Sequence, residues 1–331
     1  MVPFEGNSVA NLDGQSATHR IEPYALVDGK FTAAGGLGAV YRSPFGIPRS
    51  IMHGIRSTLV LLSGCAALLG SGCDSHVQLG AFSATVPNIL WSATFETGDL
   101  TEWQRDGDGN VFAENAAAAP SVTADQVHNG RYAGKSTMGP TTEPTGIASS
   151  NYFYRNHPSP TEAYYGAWFY IPSTVTIRTW LSLMHFRGST TCDVMNPVAF
   201  WDLNVWPVRD GSLPPGTLPV GSLTTHFFNY TTMVNADPLV YQAVPTDKWV
   251  HFEILLHKSA ETTGRMTVWQ DDVMIIDLPN VMTSYNDWVQ WDAGGASNDI
   301  APASASIYMD DATISLERLG DQAIPDERPQ P

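Results

Sequence analysis

The spacing of apolar residues predicts an all-β chain, folded as a two-sheet antiparallel sandwich. Period-two alternation is the main observation. In Lys248–His257, Val250, Phe252, Ile254 and Leu256 fall on one face, and Trp249, His251, Glu253 and His257 on the other. One apolar face per strand means that one side packs on a core and the other meets water or a ligand. The second observation is punctuation: short aromatic and β-branched runs are separated by Gly, Pro, Asn and Asp clusters, and long amphipathic helices are absent. The third is that all 10 Trp lie after Cys73. Trp supplies a flat apolar face with a polar edge, which suits a sandwich core and also stacks on sugar rings.

In chain order, residues 1–51 show no sustained period of two or 3.6. Met52 reads as the initiator and residues 1–51 as an upstream, disordered extension; a genuine N-terminal extension on a long signal is the alternative. Residues 52–73 carry Arg56, an apolar run from Thr58 to Leu69, and Gly70-Ser71-Gly72-Cys73. A charged start, a short apolar core and a small-residue cleavage zone mark a secretory signal peptide, too short to span a bilayer. Its ending on cysteine resembles a bacterial lipoprotein signal, with Cys73 lipidated in preference to Cys65. The resemblance implies a cell-envelope or cell-surface protein that meets the membrane through a lipid anchor only, or a secreted one. Residues 74–87 read as a tether, 88–318 as one domain, and 319–331 as a Pro-rich, charged, disordered tail. With Cys65 removed and Cys73 acylated, Cys192 stands alone and no intramolecular disulfide forms.

From Cys73 onward, 12 Lys and Arg face 29 Asp and Glu, a formal charge of −17. Such a surface repels phosphate backbones, so nucleic acid is excluded as a partner, and dense polyanions are disfavoured. A monomer is expected. Within the domain, Arg265–Pro279 reads as a hairpin turned at Asp271-Asp272. In Glu162–Ile171 both faces are aromatic: Tyr165, Phe169 and Ile171 alternate with Tyr164, Trp168 and Tyr170.

Two segments bracket the domain, Phe95-Glu96-Thr97-Gly98-Asp99-Leu100-Thr101-Glu102-Trp103 and Ser306-Ile307-Tyr308-Met309-Asp310-Asp311-Ala312-Thr313-Ile314-Ser315. The pairing resembles the jelly-roll domains of the concanavalin A-like group, where first and last strands lie side by side. That resemblance implies a structural Ca²⁺ near Glu96, Asp310 and Asp311. Two adjacent Asp repel unless a cation or donor sits between them, and Ca²⁺ takes six to eight oxygen ligands. The alternative is a solvent-facing strand cap.

Four further segments, Tyr164–Pro172, Trp180–Gly188, Lys248–Glu253 and Gly264–Asp272, occur in the order seen in heparin-lyase-I-like polysaccharide lyases. The resemblance runs from Trp91 to Ser315. Lyases of this kind carry Gln-x-His on a groove strand; here the place reads His185-Phe186-Arg187. His185 and Arg187 project to one face. A guanidinium pairs a carboxylate bidentately, and a histidine moves protons near neutral pH. The family's tyrosine-rich C-terminal strand is not recognisable in Trp288–Gly294, which leaves Tyr164, Tyr170 and Tyr230 as candidate proton carriers. Trp168, Asp202, Asn204 and His226 complete the candidate substrate contacts. The bland reading of His185 and Arg187 is an exposed polar pair bound to Asp202 or Asp193.

The expected function is β-elimination on a uronate-containing polysaccharide, with a non-catalytic carbohydrate-binding lipoprotein as the alternative and an envelope structural protein as a third reading. Zinc is not expected: His251 and His257 share a face but lie too far apart along a strand, at ~3.3 Å per residue. No phosphate loop, nucleophile elbow, HExxH run or Glu-x-Asp-x-x-Glu strand occurs.

Overall fold

The computed structural model describes residues 26–27, 30–31, 88–140, 148–158, 160–188, 198–230, 232, 234–286 and 288–321. The expected signal peptide, Cys73, the tether, Cys192 and Asp193 lie outside the described residues. The chain divides into two units, Met1–Leu69 and Gly70–Pro331. In the first unit β1 (Leu26–Val27) pairs antiparallel with β2 (Lys30–Phe31), a short ladder where no regular element was expected.

The second unit is a sandwich of two antiparallel sheets. The seven-stranded sheet runs β13 (Val234–Ala236), β12 (Leu223–Asn229), β11 (Val198–Pro207), β10 (Leu181–Gly188), β17 (Trp288–Ser297), β7 (Ser149–Pro158), β4 (Gly109–Glu114). The eight-stranded sheet runs β16 (Val273–Val281), β15 (Gly264–Gln270), β14 (Trp249–His257), β8 (Glu162–Tyr170), β19 (Ala305–Ser315), β6 (Ala133–Met138), β5 (Ser121–Thr123), with β3 (Ile89–Ala93) added on β19. A two-residue ladder joins β9 (Thr176–Ile177) to β18 (Ile300–Ala301). The one short α-helix among the described residues, α1 (Thr101–Gln104), drives Trp103 into the core.

The alternation read from sequence is the alternation of the fold. Val250, Phe252, Ile254, Leu256, Val268 and Ile314 are all at most 1% exposed. Trp91 stands opposite Ile314, so the first and last strands of the domain are neighbours. The β15–β16 hairpin turns at Asp271 and Asp272, with φ of 46° and 64°. Two consecutive left-handed residues make the tight turn whose twist matches the strands it joins.

Between the sheets lies an aromatic seam. Tyr165 of β8 meets Phe186 of β10 and Trp291 of β17, with ring centres 5.1 and 5.5 Å apart. Trp91 and Trp103 extend the seam, 4.8 Å from each other and 6.3 and 6.1 Å from Trp291. Edge-to-face packing of this kind adds to the stabilisation from area burial.

β10 carries a bulge. Its register shifts between Ser182 and Met184 against both β11 and β17. Leu181 and Leu183 face the core before the shift, and Met184 and Phe186 face it afterwards, all buried. Without the extra residue the phase would send Phe186 outward and His185 inward.

The domain boundary expected near Arg318 extends three residues further. The amides of Leu319 and Gly320 donate to the Glu253 carboxylate at 2.8 and 3.2 Å, and Arg318 bonds it at 3.1 Å. Asp321 reaches His251 at 3.3 Å. Glu253 is 1% exposed, and a buried carboxylate needs such donors.

Phe186 sits at the centre of the seam. Phe186→Ala is expected to lower unfolding free energy by ~3–5 kcal/mol, read as a drop in denaturant midpoint at unchanged slope. A loss under ~1 kcal/mol would mean that the seam does not hold the sheets together.

Candidate active site

Because Met184, Phe186, Trp201, Leu203, Phe227 and Trp291 point inward, their neighbours in sequence point out. The pairing register aligns these neighbours across five strands. Phe228 on β12 stands opposite Asp202 on β11, Asp202 opposite His185 on β10, His185 opposite Asp292 on β17, and Asp292 opposite Tyr154 on β7. The result is a row of polar and aromatic side chains on the outer face of the seven-stranded sheet.

Asp202 is the hub of one half of the row. Its Oδ1 accepts from Ser182 Oγ, and its Oδ2 accepts from the Tyr230 hydroxyl at 3.1 Å. Ser182 Oγ in turn accepts from the Tyr152 hydroxyl at 2.8 Å. Close approach of β7 to β17 makes this reach possible. At Gly294, where φ is 149°, a Cβ would lie 2.5 Å from the carbonyl oxygen of Asn151. Burial raises the Asp202 carboxyl to about 7, against the lowering effect of its hydrogen bonds to Ser182, Tyr230 and Asn204. Tyr230 is raised by burial and then by the charge of Asp202.

His185 lies between two tyrosines, its ring centre 5.8 Å from Tyr152 and 5.5 Å from Tyr230. Its Nε2 is 3.7 Å from Asp202, beyond hydrogen-bond reach, and neither ring nitrogen has a hydrogen-bond partner among the described residues. Burial first, and Arg187 second, hold it well below the usual histidine range. His185 is therefore a neutral imidazole.

Arg187 is anchored by Asp292, its Nε donating at 2.6 Å, and Gln290 Nε2 donates to the other oxygen at 2.5 Å. The charge of Asp292 keeps Arg187 protonated, and Asp292 itself is raised by burial. Phe112 lies under the guanidinium, 5.7 Å from its ring centre. Farther along, His226 packs against Trp206 at 5.0 Å and stands opposite Asn204. Its Nδ1 is 3.3 Å from Asp237.

Six candidates from sequence thus share one face: His185, Arg187, Tyr230, Asp202, Asn204 and His226. Arg187 pairs with Asp292, not with Asp202. Tyr164, Trp168 and Tyr170 do not join them, which corrects the expectation of a single shared groove. Tyr165 and Phe169 point into the core, so Tyr164, Trp168 and Tyr170 occupy the outer surface of the opposite sheet. Trp168 is also covered there, since the His128 ring stacks on it at 3.9 Å and 18°. Sequence reasoning missed Ser182, Tyr152, Tyr154, Gln290 and Asp292. For the last two the signal was present in the sequence, because Gln290 and Asp292 flank Trp291 and so share the face opposite to it.

Glu96, Asp310 and Asp311 converge on one loop, through N–H groups. Glu96 Oε1 accepts from the amides of Arg131 and Tyr132 at 2.6 and 2.8 Å. Asp310 Oδ2 accepts from the amides of His128 and Asn129 at 3.0 and 3.3 Å. Asp311 Oδ2 meets His128 Nδ1 at 2.9 Å, while its Oδ1 is buried with no hydrogen-bond partner. Burial and the neighbouring Asp311 push Asp310 up to about 8. Among the described residues, no group of three His, Cys, Asp or Glu is placed to hold a metal ion.

No curated protein matches the chain in sequence. Among solved structures, the chain is similar to the endo-β-1,4-glucuronan lyase of the fungus Trichoderma reesei, at 13% identity and a TM-score of 0.47, over 69% of this chain and 95% of that one. It is also similar to an alginate lyase from Aplysia kurodai, at 11% identity and a TM-score of 0.45, over 68% and 98%. A third is the alginate lyase vAL-1 from Chlorella virus, at 11% identity and a TM-score of 0.42, over 69% and 99%. The family model described as Polysaccharide lyase matches residues 95–312, which span the sandwich from the end of β3 into β19. The chain belongs to the polysaccharide lyase family.

Proposed function

We propose that this lyase cleaves a uronate-containing polysaccharide by β-elimination on the outer face of the seven-stranded sheet. The observation that carries the reading is that Tyr230, which follows β12, stands on the same face as His185 and Arg187 of β10. Asp292 holds the Nε edge of Arg187, and the terminal amino nitrogens are the edge that grips the uronate carboxylate. Charge pairing there stabilises the carbanion-like state at C5. Neutral His185, its ring nitrogens buried, packs between Tyr152 and Tyr230 and orients the Tyr230 phenol on this face. The Tyr230 hydroxyl moves the proton from C5 to the leaving O4.

The charge balance narrows the substrate. Among the described residues the face offers one guanidinium, already paired, beside Asp202 and Asp292. A glycan with one carboxylate per uronate fits this better than a densely sulfated one. The test is a screen of purified protein on sulfated and unsulfated uronate polysaccharides, read at the ultraviolet absorbance of the new C4–C5 double bond. Unsulfated substrates should react faster. Arg187→Ala and Tyr230→Phe should each cut kcat/KM by ~10²–10⁴-fold. Trp249→Ala, on the opposite sheet, should leave the rate unchanged. Binding of glycan without absorbance change, abolished by Trp249→Ala, would instead identify a binding module.

Two further proposals concern the rest of the chain. Export by residues 52–73 with a lipidated Cys73 predicts a membrane-extracted protein whose intact mass begins at Cys73 and includes acyl chains; an unlipidated N-terminus elsewhere contradicts it. Calcium at the Glu96–Asp310–Asp311 junction is supported by the orphaned Asp311 Oδ1 beside a second buried carboxylate. Chelation should then lower the thermal midpoint by ~2–4 °C per kcal/mol of lost stability. An unchanged midpoint would contradict the calcium proposal.

A further inference from the structure

Asp202 has no task in the reaction as described, yet it is among the most elaborately held side chains on this face. It is 1% exposed, so it does not touch a polysaccharide. It reaches the surface through the half-buried Tyr230, whose hydroxyl bonds its Oδ2 at 3.1 Å. The other oxygen is fixed from below. A hydroxyl has one proton to give, and the two donors on that side are ordered: Tyr152 gives its proton to Ser182, and Ser182 gives its own to Asp202 Oδ1. Every proton in the chain Tyr152–Ser182–Asp202–Tyr230 therefore points at Asp202. Oδ2 accepts from the Tyr230 hydroxyl, and the Asn204 side chain is a further hydrogen-bond partner of the carboxylate that has no labile proton to exchange.

This polarity answers a difficulty in the elimination. Tyr230 cannot wait as a phenolate, because burial and the adjacent carboxylate both hold its proton on. A phenol that keeps its proton can take another only if it passes its own along. The groups that face Asp202 are Tyr152 from β7, Ser182, His185 and Arg187 from β10, Asn204 from β11 and Tyr230 beyond β12. Asp202 is the carboxylate within hydrogen-bond reach of the Tyr230 hydroxyl among the described residues.

We infer that Asp202 is the proton store of the elimination, a positioning residue that acts through Tyr230 and never on the sugar. The inference rests on the β-elimination proposed above. As the C5–H bond breaks, its proton goes to Tyr230 Oη while the phenolic proton moves to Asp202 Oδ2. The C–H electron pair becomes the C4–C5 double bond, and the C4–O bond breaks with its pair on O4. Tyr230 Oη then protonates O4 and regains a proton from Asp202. The proton taken from C5 ends on O4, and no co-reactant is consumed. A carboxyl that titrates at about 7 suits this duty, since it both accepts and returns a proton near neutral pH.

The sign of the pH dependence follows. The store must start empty, so kcat rises with pH through the Asp202 titration at about 7. The experiment is the pH profile of kcat and KM on a cleaved uronate polysaccharide, for wild type, Asp202→Asn and Ser182→Ala. Asp202→Asn should lower kcat by ~10²–10⁴-fold with KM unchanged, and abolish the acidic limb. Ser182→Ala removes a hydrogen bond that holds the carboxyl down, so its limb should move to higher pH. An Asp202→Asn enzyme with wild-type kcat and limb overturns the inference. So does a Ser182→Ala limb that stays in place, and this variant decides alone if Asp202→Asn does not fold. If wild type forms no unsaturated product from any uronate polysaccharide, the proposed reaction falls as well. Product from wild type with an unaffected Asp202→Asn removes the proton store only.

Discussion

The packing of Tyr165 against Phe186 and Trp291 organises this molecule. One ring from the eight-stranded sheet contacts two from the seven-stranded sheet, and so determines which side of β10 and β17 is interior. Strand geometry does the rest. With Phe186 and Trp291 inside, His185, Arg187 and Asp292 must be outside, one residue away in each case. The polar row is thus the reverse side of the hydrophobic core, and its spacing is set by backbone hydrogen bonding between strands. A site mounted on central strands is held more rigidly than one built on loops.

Electrostatics gives that face its character. The chain is acidic overall, at −16 formal charge, and acidic on this face as well. Burial leaves His185 neutral, raises Asp202 toward neutral pH and keeps Tyr230 protonated. Arg187 stays charged because Asp292 lies against it. Desolvation separates these groups into a fixed cation, a neutral imidazole and a proton-exchanging pair, a division of labour that a water-exposed set of the same residues would lack.

Much of the fold was legible in the amino-acid sequence because period two needs no tertiary information. The buried face of β14, the Asp271–Asp272 turn and the neighbouring first and last strands all followed from local pattern. His185 and Arg187 were legible as a pair for the same reason. What stayed hidden depended on which strand lies beside which. Both faces of β8 are aromatic, but only sheet order reveals that Tyr164, Trp168 and Tyr170 look away from His185. Ser182 and Asp202 meet across β10 and β11, and Tyr152 reaches them from beyond β17, a convergence that no linear spacing encodes. The bulge at Leu183 left a trace, a phase change from Leu181 and Leu183 to Met184 and Phe186. Its meaning emerges only when the inner face is known.

The central claim is that substrate binds the outer face of the seven-stranded sheet. The most direct measurement is backbone hydrogen exchange with and without an unsaturated uronate oligosaccharide, the product class of the proposed reaction. The account predicts slowed exchange in β10 and β11 around His185 and Asp202 and at the end of β12 beside Tyr230, and none across β8 and β14. Protection confined to the strands that carry Tyr170 and Trp249 would contradict it.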